Sequence, residues 1–175
     1  MTLRYEPLTA AHAPALFPVL SPSVVWTYVA DSDERTLDEM VARYARTERG
    51  PGPDRPTERW VNFALRLPDG TCCGRIEATV HEAGSPAPWA EIAYLLGPAF
   101  WGRGLAQEAV AWLLTHLEEQ HQVYEVWAAV QPDNARSCRL LARLGFQPVQ
   151  PGAREVYSWD PGDALFRQGL RLRSE

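Results

Sequence analysis

The stretch Trp101-Gly102-Arg103-Gly104, followed by Leu105 and Ala106, is the part of this sequence best suited to hold an anion. A helix that starts there leaves backbone N–H groups unpaired and carries a partial positive charge. Glycine at 102 and 104 lets those groups press onto a pyrophosphate with no side chain in between. Just upstream, Ala90-Glu91-Ile92 sets one carboxylate in an apolar run. On an alternating strand Glu91 shares a face with Trp89, Ala93 and Leu95, surroundings that disfavour its charge and predict a pKa raised towards that of a useful general base. A solvent-facing strand carboxylate is the plainer alternative.

Other chemistries find less support. All 17 basic residues are arginine, so the lysine of a Walker A phosphate loop cannot be supplied. A dinucleotide fingerprint wants glycine or alanine where Gln107 stands. Cys72, Cys73 and Cys138 lack metal-ligand spacing and cannot all pair, which predicts inert thiols with no disulfide framework and no metal site. His12, His81, His116 and His121 form no constellation in sequence, and each is read as a surface or core residue.

Around these residues the pattern predicts alternating elements. Residues 2–8 read as a strand and 10–20 as a short helix made irregular by Pro18. A helix to about Glu48 opens at Asp31, with Asp31 and Glu34 in capping-box spacing. Strands follow at 59–67 and 71–80, joined by Pro68-Asp69-Gly70, and another at 89–96. The helix from Gly104 to about Glu119 carries Leu105, Ala109, Trp112, Leu113 and Leu117 on one stripe. A strand at 123–131 and a helix at 135–144 precede a terminal hairpin, with 146–159 and 164–172 folded about Asp160-Pro161-Gly162. The Pro/Gly stretch at 50–56 is a surface loop within a single domain spanning 1–175.

On these residues the chain resembles the GNAT family of acyl-CoA-dependent N-acyltransferases, in particular the branch of bacterial ribosomal-protein N-terminal acetyltransferases. Gly104 and Ala106 match the family's first motif, and Trp101-Gly102-Arg103-Gly104 matches the form it takes in that branch. Asn134-x-x-Ser137 with Gly145-Phe146 looks like the second motif, and Ala90-Glu91-Ile92 like the acid-bearing central strand. The resemblance implies an α+β fold: a mixed, mostly antiparallel sheet of about seven strands flanked by about four helices. It implies acetyl-CoA as donor, with its pantetheine arm between the strands at 89–96 and 123–131. Backbone groups of Tyr94, Leu95 and Leu96 would pair with that arm, and the amides of residues 102–106 would receive the pyrophosphate. Arg103 is either a phosphate contact or a solvated charge, and Asn134 either a cofactor contact or a helix cap.

Two roles remain in question. The family's usual tyrosine acid on the second helix has Leu141 in its place. Ser137, one turn earlier, is the candidate proton donor in this branch, although a helix serine can simply bond back to its own chain. Trp26 and Tyr28 line either an acceptor site or the core. Loops at 21–31, 50–58 and 150–163 are where acceptor choice would lie.

Composition sets the outer bounds. The chain has 175 residues, 46% of them hydrophobic, and 22 acidic against 17 basic residues, for a net charge of −5. A broad basic grip on nucleic acid or an anionic membrane is therefore not expected. The mean hydropathy is −0.29, and no run approaches the ~20 apolar residues of a membrane helix. The expectation is a cytoplasmic enzyme that acetylates a primary amine, foremost the N-terminal α-amine of a protein or peptide. Alternatives are a small-molecule amine acceptor, such as a polyamine, antibiotic or amino-acid analogue, and a non-catalytic acyl-CoA-binding module. Homodimerisation is left open.

Overall fold

The computed structural model describes residues 3–29, 36–152 and 154–170. Its frame is a seven-stranded sheet in the order β1-β2-β3-β4-β5-β7-β6. The strands are β1 (Arg4–Pro7), β2 (Arg59–Arg66), β3 (Cys72–His81), β4 (Trp89–Leu96), β5 (Glu125–Val130), β6 (Gln147–Val149) and β7 (Ala164–Gly169). Every neighbouring pair is antiparallel except β4 and β5, which run parallel. That exception is forced by the connection: α3 (Leu105–His121) carries the chain back along the sheet between β4 and β5.

The parallel pair is also short. Pairing covers Trp89↔Glu125, Ala90↔Val126 and Glu91↔Trp127 and stops there, although β4 continues to Leu96 and β5 to Val130. Beyond Glu91 the two strands part, while β3 stays paired with β4 along its whole length to Leu96. The sheet thus opens into a splay with Glu91 at its vertex.

Helices cover both faces. The apolar stripe of α3 is buried as its spacing predicts, with Leu105, Ala109, Leu113 and Leu117 packed against Ile76, Ala78, Ala90, Ile92 and Leu96. Trp112 sits at the rim of that stripe and stacks on Tyr5 at 3.7 Å between ring centroids. Leu141 of α4 (Ala135–Arg143) joins the same core. On the opposite face, α1 (Ala13–Leu20) and α2 (Leu37–Arg49) bury Leu16, Leu20, Met40 and Tyr44 over Ala64 and Cys72.

Two elements depart from the sequence reading. The described start of α2 is not Asp31 but Thr36, whose hydroxyl accepts from the Glu39 N–H (3.2 Å) while the Glu39 carboxylate accepts from the Thr36 N–H (2.9 Å). The same capping-box spacing recurs there, and Asp31 and Glu34 lie outside the described residues. The terminal hairpin is also shorter than expected. Of the described residues in 146–159 only Gln147–Val149 pairs with β7, and residues 150–152 and 154–163 form a strap, because Pro151-Gly152 interrupts the run and the N–H groups of Tyr157 and Ser158 bond elsewhere.

Candidate active site

The amides of Tyr157 and Ser158 go to Glu91. Its Oε1 accepts from the Tyr157 N–H at 3.0 Å and its Oε2 from the Ser158 N–H at 2.8 Å. Glu91 Oε1 also lies 3.0 Å from His81 Nε2, close but outside hydrogen-bond alignment. The side chain is nearly buried, at 7% exposure. Burial alone pushes its pKa up, yet His81, the Ser158 contact and the two strap amides outweigh that, and the net direction is down. The expectation of a raised value is corrected here: flanking side chains on β4 predict desolvation, but the charge-stabilising donors arrive from a segment far along the chain.

Glu91 lines a cavity of about 260 Å³ between α2 and the sheet. Arg43, Arg46 and Thr47 form its α2 wall, Trp60 and Asn62 come from β2, Glu77 and Thr79 from β3, and Ser158 from the strap. Arg43 Nη2 lies 3.2 Å from Glu77 Oε1, and Arg75 pairs with the same carboxylate. Burial raises the Glu77 pKa, but the two guanidinium charges hold it below the ordinary range. Of the loops singled out for acceptor choice, the strap reaches the cavity through Ser158. Trp26 and Tyr28 do not line it. The Trp26 indole N–H is bonded to the Leu20 carbonyl at 2.7 Å, which makes it a tie between the short helical turn Ser23–Trp26 and the end of α1.

The glycine loop lies at the far end of β4. Gly102 and Gly104 take φ of +73° and +76°, a left-handed backbone that side chains resist, and a Cβ at either would meet nothing within 4 Å. Glycine is therefore needed at both positions for conformation. Gly104 is the N-cap of α3 and no side chain caps that end. Leu105 is buried, so only its amide is available to a ligand, whereas Arg103 is exposed and Ala106 half-buried. Trp101 explains its departure from the usual motif: its indole N–H donates to the Leu96 carbonyl at 2.7 Å, and the Arg136 guanidinium lies 4.3 Å from its ring centroid. It fastens the loop to β4 and to α4.

The opened splay, the uncapped helix start and the left-handed glycines fit an extended ligand with a pyrophosphate, as acetyl-CoA has. The splay leaves the β5-facing side of Tyr94 and Leu95 without a strand partner, while the Leu96 carbonyl is already engaged by Trp101. Asn134 caps α4, its Oδ1 accepting from the Ser137 N–H at 3.2 Å. Ser137 is half-buried on the face of the sheet opposite Glu91, beside the phenol of Tyr94. Burial pushes that phenol up to about 12, with the Ser137 hydroxyl offsetting part of the rise. Leu141 is wholly buried in the core and has no polar role.

Histidine is where the sequence reading missed most. His12 pairs with Glu6 at 3.0 Å and His116 stacks on Trp112, both structural roles. His81 instead stands beside Glu91. The signal was present in the β3–β4 pairing, in which Thr79 opposes Glu91 and His81 opposes Trp89. All four side chains therefore share one face, with His81 and Glu91 as diagonal neighbours. Among the described residues no group of three or more histidine, cysteine or acidic side chains is placed to hold a metal ion, and no helix is long and apolar enough to cross a membrane.

These features define an acyltransferase domain, and the family comparison agrees: residues 2–147 match the acetyltransferase (GNAT) domain model, so the chain belongs to the GNAT family. The [ribosomal protein uS5]-alanine N-acetyltransferase of Escherichia coli (strain K12) is 34% identical over 56 residues, covering 32% of this chain and 29% of that protein. The curated relatives that it matches are thus covered over no more than about a third of their length. Among solved structures, the ribosomal L7/L12 α-N-protein acetyltransferase RimL in complex with coenzyme A superposes with a TM-score of 0.72 at 17% identity, covering 97% of this chain and 95% of that one. Spermidine N-acetyltransferase from Vibrio cholerae, in complex with CoA and spermine, gives 0.71 at 16% identity, with 97% and 95% covered. At these identities the likeness is one of fold.

Proposed function

We propose that this protein transfers the acetyl group of acetyl-CoA to the N-terminal α-amine of a protein or peptide. The observation that carries the reading is the position of Glu91, at the vertex of the β4–β5 splay and in the wall of the cavity. Bound acetyl-CoA supplies a thioester carbon open to attack. The amides of residues 102–106 hold its pyrophosphate, and Tyr94 and Leu95 align its pantetheine arm as an added strand is aligned. Glu91 receives the acceptor's ammonium and removes a proton from it. A backbone amide near Ile92 to Tyr94 faces the thioester oxygen, and Ser137 is the donor for the departing thiolate.

The depressed pKa of Glu91 makes it a weak base, and that bears on the acceptor. An α-amine of pKa about 8 costs roughly 1.4 kcal/mol to neutralise at pH 7, whereas a lysine side chain near 10.4 costs more than three times as much. The first matches this site better. The relative and the structural neighbour that act on ribosomal proteins support the same choice.

A small-amine acceptor is the second reading, favoured by the modest cavity and by the spermidine enzyme among the fold neighbours. Two peptides separate these readings, one with a free N-terminus and no lysine, the other N-terminally blocked with an internal lysine. Mass spectrometry should find acetyl on the first alone. Labelling of neither, beside rapid acetylation of a small amine, would replace the first reading with the second.

A further inference from the structure

Behind Glu91, away from the cavity, three titratable side chains stand in line. His81 Nε2 lies 3.0 Å from Glu91 Oε1, and His81 Nδ1 lies 3.7 Å from Glu58 Oε1. His81 is 6% exposed and is not among the cavity-lining residues. Its ring stacks on Trp89, at 4.2 Å and 26°, and meets Tyr157, at 5.1 Å and 37°, and those two rings also meet each other at 6.5 Å. Arg154 covers the outer face of Trp89 at 4.6 Å. Glu58 in turn faces Arg55 at 3.4 Å, near the surface.

We propose that His81 is the positioning residue that takes over the acceptor's proton from Glu91, so that the pair works as one base with an outlet past Glu58. The proposal rests on the acetyltransferase reading above. Glu91 alone is poorly suited to keep a proton, because both its oxygens are already committed to strap amides that favour the carboxylate. Imidazole is the side chain that exchanges protons near neutral pH. In the step His81 starts neutral with its proton on Nδ1, the N–H bond of the acceptor ammonium breaks, and that proton passes by way of a Glu91 oxygen to the open lone pair of His81 Nε2. The freed electron pair stays on the amine nitrogen for attack on the thioester. The positive charge ends on an imidazolium flanked by two carboxylates, Glu91 and Glu58, which lower its energy. The Trp89 and Tyr157 rings hold the imidazole plane in place.

Two groups this close should each report the loss of the other. The test is the 15N NMR spectrum of the His81 ring, assigned by the signals missing from His81→Gln, in the wild-type protein, Glu91→Gln and Glu58→Gln. Replacing Glu91 should shift the Nε2 signal and replacing Glu58 the Nδ1 signal, while the His116 and His121 signals stay put. This readout needs no acceptor, so it decides the coupling even if the peptide assay fails. With a peptide acceptor, His81→Gln should lower kcat about tenfold or more and remove one proton from the acid limb of the pH–rate profile, leaving the KM for acetyl-CoA unchanged. A purely structural His81 would give the opposite pattern: ring signals unmoved in both carboxylate variants, or a His81→Gln enzyme with the wild-type acid limb and rate. Either result overturns the proposal.

Discussion

The glycine loop and the Glu91 cavity flank the same strand and are made in different ways. The loop is contiguous: Trp101 to Ala106 contain its left-handed turns, its helix start and its anchor to β4. The cavity draws its wall from α2, β2, β3, β4 and the strap, and its central carboxylate is governed by residues 66 and 67 positions away in the chain. A site for the donor's phosphates needs only backbone amides and a helix dipole, which a short segment can present. A site for proton transfer needs a carboxylate of defined strength, and that strength depends on every charge and donor packed around it. Local sequence can specify the first but not the second.

Glu91→Gln probes this contrast most strongly. It retains the shape of the side chain and removes the proton acceptor, so kcat should fall about 100-fold or more while calorimetry finds acetyl-CoA affinity preserved. A matching loss of affinity would merge the two regions into one and break the comparison. The loop has its own test in Gly104→Ala. Its φ of +76° costs an alanine about 1–2 kcal/mol, which predicts roughly tenfold weaker CoA binding with little change in circular dichroism. Unchanged affinity would mean that the turn is not what receives the ligand.

The smallest effect concerns acid stability. The folded-state pKa of Glu91 lies below the ordinary value of 4.5, so its carboxylate contributes stability that is present in full above pH 4.5 and lost as the pH falls through the lower folded value. Thermal melts of the wild-type protein should therefore drop more steeply below pH 4.5 than those of Glu91→Gln. Parallel curves would show that the strap contacts do not depend on the charge.

Most of the frame was legible in the sequence. A nearly continuous apolar run placed β4 at 89–96, and period-3.6 apolar spacing placed the α3 stripe at Leu105, Ala109, Leu113 and Leu117, because burial is enforced locally along each element. The turn glycines were legible for the same reason, since a positive φ is a property of the residue itself. The start of α2 was misplaced because two capping-box spacings lie close together, and the helix from Leu37 is capped by the second, Thr36 with Glu39. The strap was taken for a strand of a hairpin about Asp160-Pro161-Gly162, and nothing in its own composition says that Tyr157 and Ser158 donate to Glu91.

The sequence by itself placed most of the strands, the helix that reverses the chain and the glycine loop, which follow from interactions among near neighbours; the mixed sheet was what the family resemblance implied. Only the tertiary structure decided that Glu91 stands where β4 and β5 part, that its pKa moves down and not up, and that His81 is beside it. The reason is physical. A pKa is set by the sum of burial, charges and donors within a few ångströms, and at Glu91 those contributions come from β3, β4 and a strap that the chain reaches only after completing the rest of its sheet.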